Sequence, residues 1–199
     1  MNTFYRIAFA FGVAGLMALV LIPKSGARDL GSMAARKPPA AATAAAGFQQ
    51  ITWDDLLPKD WDPIAKFKGR NMTGMLDSSP EAIALMSEVR EYWDNAPTIP
   101  AMDGRAVRLP GYVVPLEASN GELREFLLVP YFGACIHTPP PPANQIIHVI
   151  TDKPVKGFQT MSAVWVQGVL NTGRGKSEMG ASGYRLKLAG IEAYQAKRP

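Results

Sequence analysis

161-MSAVWVQGVLNTGRGKSEMGASGYRLKLAGIEAY-194 decides how this chain folds. Its first part, 161-MSAVWVQGVLN-171, is rich in β-branched and aromatic residues. Its last part alternates: Tyr184, Leu186 and Leu188 stand against Arg185 and Lys187, the period of a strand with one face buried. Between them, 172-TGRGKSEMGAS-182 is polar and glycine-rich and reads as a loop. Gly168 falls inside a strand pattern, where glycine marks a bulge or a sharp corner.

Working back from this pair, 105-RAVRLPGYVVPLE-117 and 122-ELREFLLVPYFGACIH-137 are further β-rich runs, separated by the hairpin-like turn 118-ASNG-121. Gly111 interrupts the first of them as Gly168 does. A fifth run is 145-QIIHVIT-151. Five such strands, with glycine and proline at the bends, predict a small barrel of the oligonucleotide/oligosaccharide-binding (OB-like) kind rather than an open sheet. Upstream lies one amphipathic helix, 79-SPEAIALMSEVREYWDNAP-97. Ser79 suits its N-cap, Pro80 its first position and Glu81 its positive end. Ile83, Met86, Val89 and Trp93 form a stripe at helical spacing, widened by Leu85 and Tyr92. One helix followed by a β-rich body makes the class α+β.

The ends bound the rest. With 199 residues, 47% apolar and 19% charged, the chain has room for one globular domain and appendages. A net charge of +4 without a long basic run gives no case for nucleic acid. The run 7-IAFAFGVAGLMALVLI-22 follows Arg6 and is broken by Pro23, with small residues at 25-SGA-27. It reads as a signal peptide or membrane anchor over 1–27, the only expected membrane contact. Residues 28–47, including 34-AARKPPAAATAAAG-47, have a tether's composition, and 48–199 is the globular domain. Localisation is therefore expected in the periplasm, free or anchored to the inner membrane. The leading arm, 48-FQQITWDDLLPKDWDPIAKF-67, is expected to lay Trp53, Leu56, Leu57 and Trp61 on the domain body.

The chemistry concentrates in 131-YFGACIHTPPPPANQIIHV-149, which holds the chain's one cysteine and both histidines. A lone thiol has no partner for an intramolecular disulfide, so Cys135 is inert, reactive, paired with another molecule or bound to metal. If the strand runs on to residue 137, Cys135 and His137 share a face, and a thiolate with an imidazole there suits zinc or copper. His148, inside 146-IIHVI-150, either completes this metal site or is a satisfied core histidine. Pro139, Pro140, Pro141 and Pro142 form a stiff rod, serving as an internal scaffold or as an exposed docking segment. Asn144 and Gln145 follow with amides able to orient a ligand, and Tyr131 precedes. Catalytic signatures are thinner. GRGKS at 173–177 lacks phosphate-loop spacing, and no G-x-S-x-G elbow is present. A Cys135–His137 nucleophile pair ranks below metal binding, because i and i+2 on a strand seldom reach a hydrogen bond.

From Trp53 to Tyr194, through GRAVRLPGYVVPLE, EFLLVPYFGACIHTPPPPANQII and VWVQGVL, the chain resembles a family of exported bacterial proteins grouped as domain of unknown function 3299. The resemblance implies an envelope-associated protein without established catalysis, from a family associated with ABC-type transporter genes, some concerned with metal uptake. Its signature falls on Tyr131, Gly133, Cys135, His137, Pro139 to Pro142, Asn144 and Gln145; His148 rests on the residues alone. The expected function is a metal-binding accessory factor for a transporter of the inner membrane. The alternatives are a metal-free interaction or scaffold module of an envelope complex and, third, a thiol-dependent enzyme.

Overall fold

The computed structural model describes residues 47–70, 75–76, 78–134 and 140–195. The expected signal or anchor segment, most of the expected tether, and the expected site residues Cys135, His137 and Pro139 lie outside the described residues. No helix among the described residues is long and apolar enough to cross a membrane.

Six strands form the body: β1 (Gln49–Gln50), β2 (Arg105–Ser119), β3 (Glu122–Val129), β4 (Ile147–Lys156), β5 (Ala163–Ser177) and β6 (Gly180–Ala193). β2, β3, β4, β6 and β5 neighbour one another in that order, and β5 pairs back onto β2. This closes a five-stranded barrel. Every barrel pairing is antiparallel except β4 with β6, and β1 adds a short parallel strand beside β2. The protein is thus α+β, a small OB-like barrel with one α-helix.

Alternation along each strand fills the interior. Val107 and Leu109 of β2, Phe126 and Leu128 of β3, Val149 of β4, Val166 of β5 and Leu186 of β6 are all fully buried in one cluster. Each such side chain stabilises the fold by about 1.5–3 kcal/mol through removal from water. The leading arm closes one end. Leu56, in the 3-10 turn Trp53–Leu56, joins the same cluster, and Trp53 Nε1 donates to Pro110 O at 2.7 Å. Tyr184 ties this end together: its hydroxyl donates to Leu56 O at 3.0 Å and accepts from Ile99 N at 2.8 Å. At Gly168 β5 shifts register, and a side-chain carbon there would run into the Lys187 carbonyl of β6. The corner expected from the sequence is therefore a close approach of two backbones.

The helix α1 spans Pro80–Asp94, and Ser79 Oγ accepts Ala82 N–H at 3.1 Å, as a capping serine should. It buries Ala82 and Leu85, whereas Ile83 is 61% exposed. The inner face is rotated from the expected stripe because Tyr92 and Trp93 are held by polar handles. They donate to Asp62 O at 3.0 Å and Pro63 O at 2.9 Å on the leading arm. The C-terminal end of α1 is closed by Arg174, whose guanidinium donates to Asp94 O at 2.9 Å and Asn95 O at 3.1 Å.

Two expected boundaries move. The expected loop 172–182 is largely strand, since β5 runs to Ser177 and β6 starts at Gly180. β3 stops at Val129 rather than continuing to residue 137. Pro130 has no N–H to give to a ladder, and residues 131–134 turn away from the strand. The shared-face argument for Cys135 and His137 therefore loses its strand.

Candidate functional site

β2, β3 and the residue that leads into β4 also bury side chains on the outside of the barrel. Val114, Leu127, Val129 and Ile146 form a second cluster, roofed by Ala134 and flanked by Tyr112, Leu116, Tyr131, Met161 and Met179. His148 lies on this outer face, because its Cα partner is Leu127. Beside the cluster opens a cleft of about 420 Å³. Pro115, Leu116, Leu127 and Met179 make its apolar wall. Glu125 and His148 come from the barrel, and Lys176, Ser177, Glu178 and Ser182 from the β5–β6 hairpin. Such a volume with a few convergent polar groups is typical of a binding site.

At its floor, His148 Nε2 lies 3.2 Å from Glu125 Oε2, with the imidazole 17% and the carboxylate 39% exposed. A carboxylate accepts, so the neutral tautomer making this bond carries its proton on Nε2 and leaves the Nδ1 lone pair open. Among the described residues Nδ1 has no hydrogen-bond partner. It sits 3.7 Å from the position a side-chain carbon on residue 175 would occupy, a point 2.7 Å from Ser182 Oγ. A side chain on residue 175 would therefore collide with Ser182 Oγ, which is why glycine stands there. A carboxylate on the other ring nitrogen is one of the partners that orient metal-ligating histidines.

The remaining expected residues divide. Pro141 and Pro142 are buried, so this half of the proline run is scaffold and not an exposed rod. Asn144 donates to Pro97 O at 3.0 Å and Gln145 to Trp53 O at 3.0 Å. Both amides therefore staple the leading arm and the post-helix segment to the barrel, and neither lines the cleft. Asn144 Oδ1 is buried without a hydrogen-bond partner among the described residues. Tyr131 packs at the edge of the outer cluster. Residues 135–139 are bracketed by Ala134, buried over Leu127, and by Pro140, whose Cβ would lie 3.1 Å from a side-chain carbon on Gly180. Among the described residues no group of three His, Cys, Asp or Glu side chains could hold a metal ion.

Sequence reading missed Glu125 and the hairpin residues of the cleft. Glu125 is two residues from Leu127, the residue opposite His148, and diagonal neighbours on one face are within reach, a relation that exists only in the β3–β4 register. A second cleft, about 510 Å³, lies between α1 and the hairpin, but its Arg174 is already committed to capping the helix.

These features define a small OB-like barrel with a histidine–carboxylate cleft on its outer wall. The chain belongs to the family described as "Protein of unknown function (DUF3299)", whose profile matches residues 53–193. It is similar to the crystal structure of a DUF3299 family protein from Pseudomonas aeruginosa PAO1. Identity is 37%, the match covers 76% of this chain and 99% of that one, and the TM-score is 0.60. Asparaginyl-tRNA synthetase from Pyrococcus horikoshii matches at 19% identity and a TM-score of 0.31, over 49% of this chain and 20% of that one. No curated protein matches the chain.

Proposed function

We propose that this protein is an exported, envelope-associated factor that binds a transition-metal ion and exchanges it with a transporter component of the inner membrane. Cys135 supplies a thiolate, His137 an imidazole and His148 a second imidazole through Nδ1. The observation that carries the reading is the Glu125–His148 pair, whose two side chains line a cleft of ligand-binding size. Export and the transporter partner are carried by the residues of the N-terminal run and by the family resemblance.

A second reading has its own observation. Asn144, Gln145, Pro141 and Pro142 all serve packing, as they would in a metal-free structural corner of an interaction module. Metal content separates the two. The full chain, purified without a metal-binding tag, is expected to carry zinc or copper near one equivalent. Cys135→Ser, His137→Ala and His148→Gln should each lose it while retaining the wild-type circular dichroism. Absence of metal in the wild type, even after reconstitution with the thiol kept reduced, overturns the metal reading and leaves the corner.

A further inference from the structure

We infer that the cleft and the apolar strip beside it bind a neutral oligosaccharide, laid across β3 and β4 toward the β5–β6 hairpin. The inference goes beyond the metal reading and rests on the outer wall of the barrel alone.

The strand order fixes which wall this is. In chain order β2 to β6 are the five strands of the barrel, so β3 and β4 are its second and third and the β5–β6 hairpin is its last connection. In OB-like barrels that face and that connection bind oligomeric ligands, sugars or nucleic acids. Here the same face carries both the outer cluster and the cleft. Leu116, Leu127 and Met179 belong to both, which makes strip and cleft one continuous surface. The other flank of the strip ends in aromatic rings. Tyr112 packs on the cluster, and Phe132 stands edge-on to Tyr112 at 5.9 Å and 82° while remaining 68% exposed. A ring of that size left in water beside an apolar strip is a stacking platform. Tyr112 and Leu116 are four residues apart on β2, about 13 Å at the rise of a strand. Platform and cleft are thus too far apart for one sugar ring, and the ligand is a chain of several.

Charge and hydrogen bonding select the class. Glu125 and Glu178 set two carboxylates against the single ammonium of Lys176, a poor lining for a phosphate backbone. With the hydroxyls of Ser177 and Ser182 they place donors and acceptors side by side, as the hydroxyls of a sugar require. The apolar wall suits the C–H face of the same ring. A peptide added as a strand finds no edge here: β3 is paired on both sides, and so is β4 over Ile147–Ile150.

The test is isothermal titration calorimetry of the full chain in mild detergent, with a chelator present so that metal plays no part. The probes are N-acetylchitotetraose, cellotetraose, the monosaccharide N-acetylglucosamine, a neutral tetrapeptide and a short single-stranded DNA. Saturable binding of a tetrasaccharide is expected, with the monosaccharide at least about tenfold weaker. Phe132→Ala, at an exposed position outside the core, should weaken the tetrasaccharide about tenfold, and Glu125→Gln should weaken it too. Failure of both tetrasaccharides to bind overturns the inference. So does equal affinity for monosaccharide and tetrasaccharide, or equal tetrasaccharide affinity in wild type and either variant. Peptide or DNA bound in place of sugar also overturns it and assigns the wall to that class. The metal reading stands or falls separately, on the metal content of untreated protein.

Discussion

At the scale of single residues, the fold depends on a few polar atoms whose partners are far away in the chain. Tyr184 is fully buried, and burial pushes its hydroxyl pKa above the ordinary 10.0, partly offset by the Ile99 amide. Phenylalanine would fill the same space but leave Leu56 O and Ile99 N without their partner. Tyr184→Phe should therefore cost about 1–3 kcal/mol, read as a lower urea midpoint with an unchanged slope. Residues of this kind were only half legible. The alternation around Tyr184 placed it inside a strand, but nothing local pointed to its partners, 128 and 85 positions away. The same holds for His148. Its apolar neighbours signalled a histidine in need of a polar partner, while Glu125 became that partner only once β3 and β4 were in register.

Elements were legible where a local rule is strong and opaque where solvent dilutes the pattern. Ser79-Pro80 begins α1 as capping chemistry requires. The arm made by the ends of β5 and β6 hid as a loop, because glycines and charges on its open faces erase the period. That arm is tied down at its base by Asp103, which accepts Thr172 N–H at 2.7 Å, the Thr172 hydroxyl at 3.1 Å and Asn171 Nδ2 at 3.4 Å. The Thr172 amide, then its hydroxyl, then Asn171 hold the Asp103 carboxyl below its ordinary value of 3.8. A lowered carboxyl pKa means the folded state favours the charged form. Its stabilisation is complete above pH 3.8 and lost as the pH falls through the lowered value. Asp103→Ala should therefore lower the Tm at pH 7, and the gap from wild type should narrow as titration proceeds below that point. A gap that widens in acid would refute the assignment.

On the scale of the whole molecule, closure matters more than any one contact. β2 is hydrogen-bonded on both sides, to β3 and β5, and β6 likewise to β4 and β5. Amide exchange should accordingly be slowest in the inward-facing middles of β2, β3 and β4, and fastest near 174–180. Protection at the hairpin tip equal to that of β3 would contradict this picture.

The parallel seam between β4 and β6 carries a consequence for how the protein comes into being. His148 lies opposite Arg185, and the two cannot meet until β5 has been made and has turned back as β6. Pairing across so long an interval is entropically slow. A chain growing from its amino end would hold β4 with a naked edge until its last strand arrives. The cleft is therefore among the final things this molecule assembles, and a partner that reads the cleft reads, in the same act, that synthesis is finished.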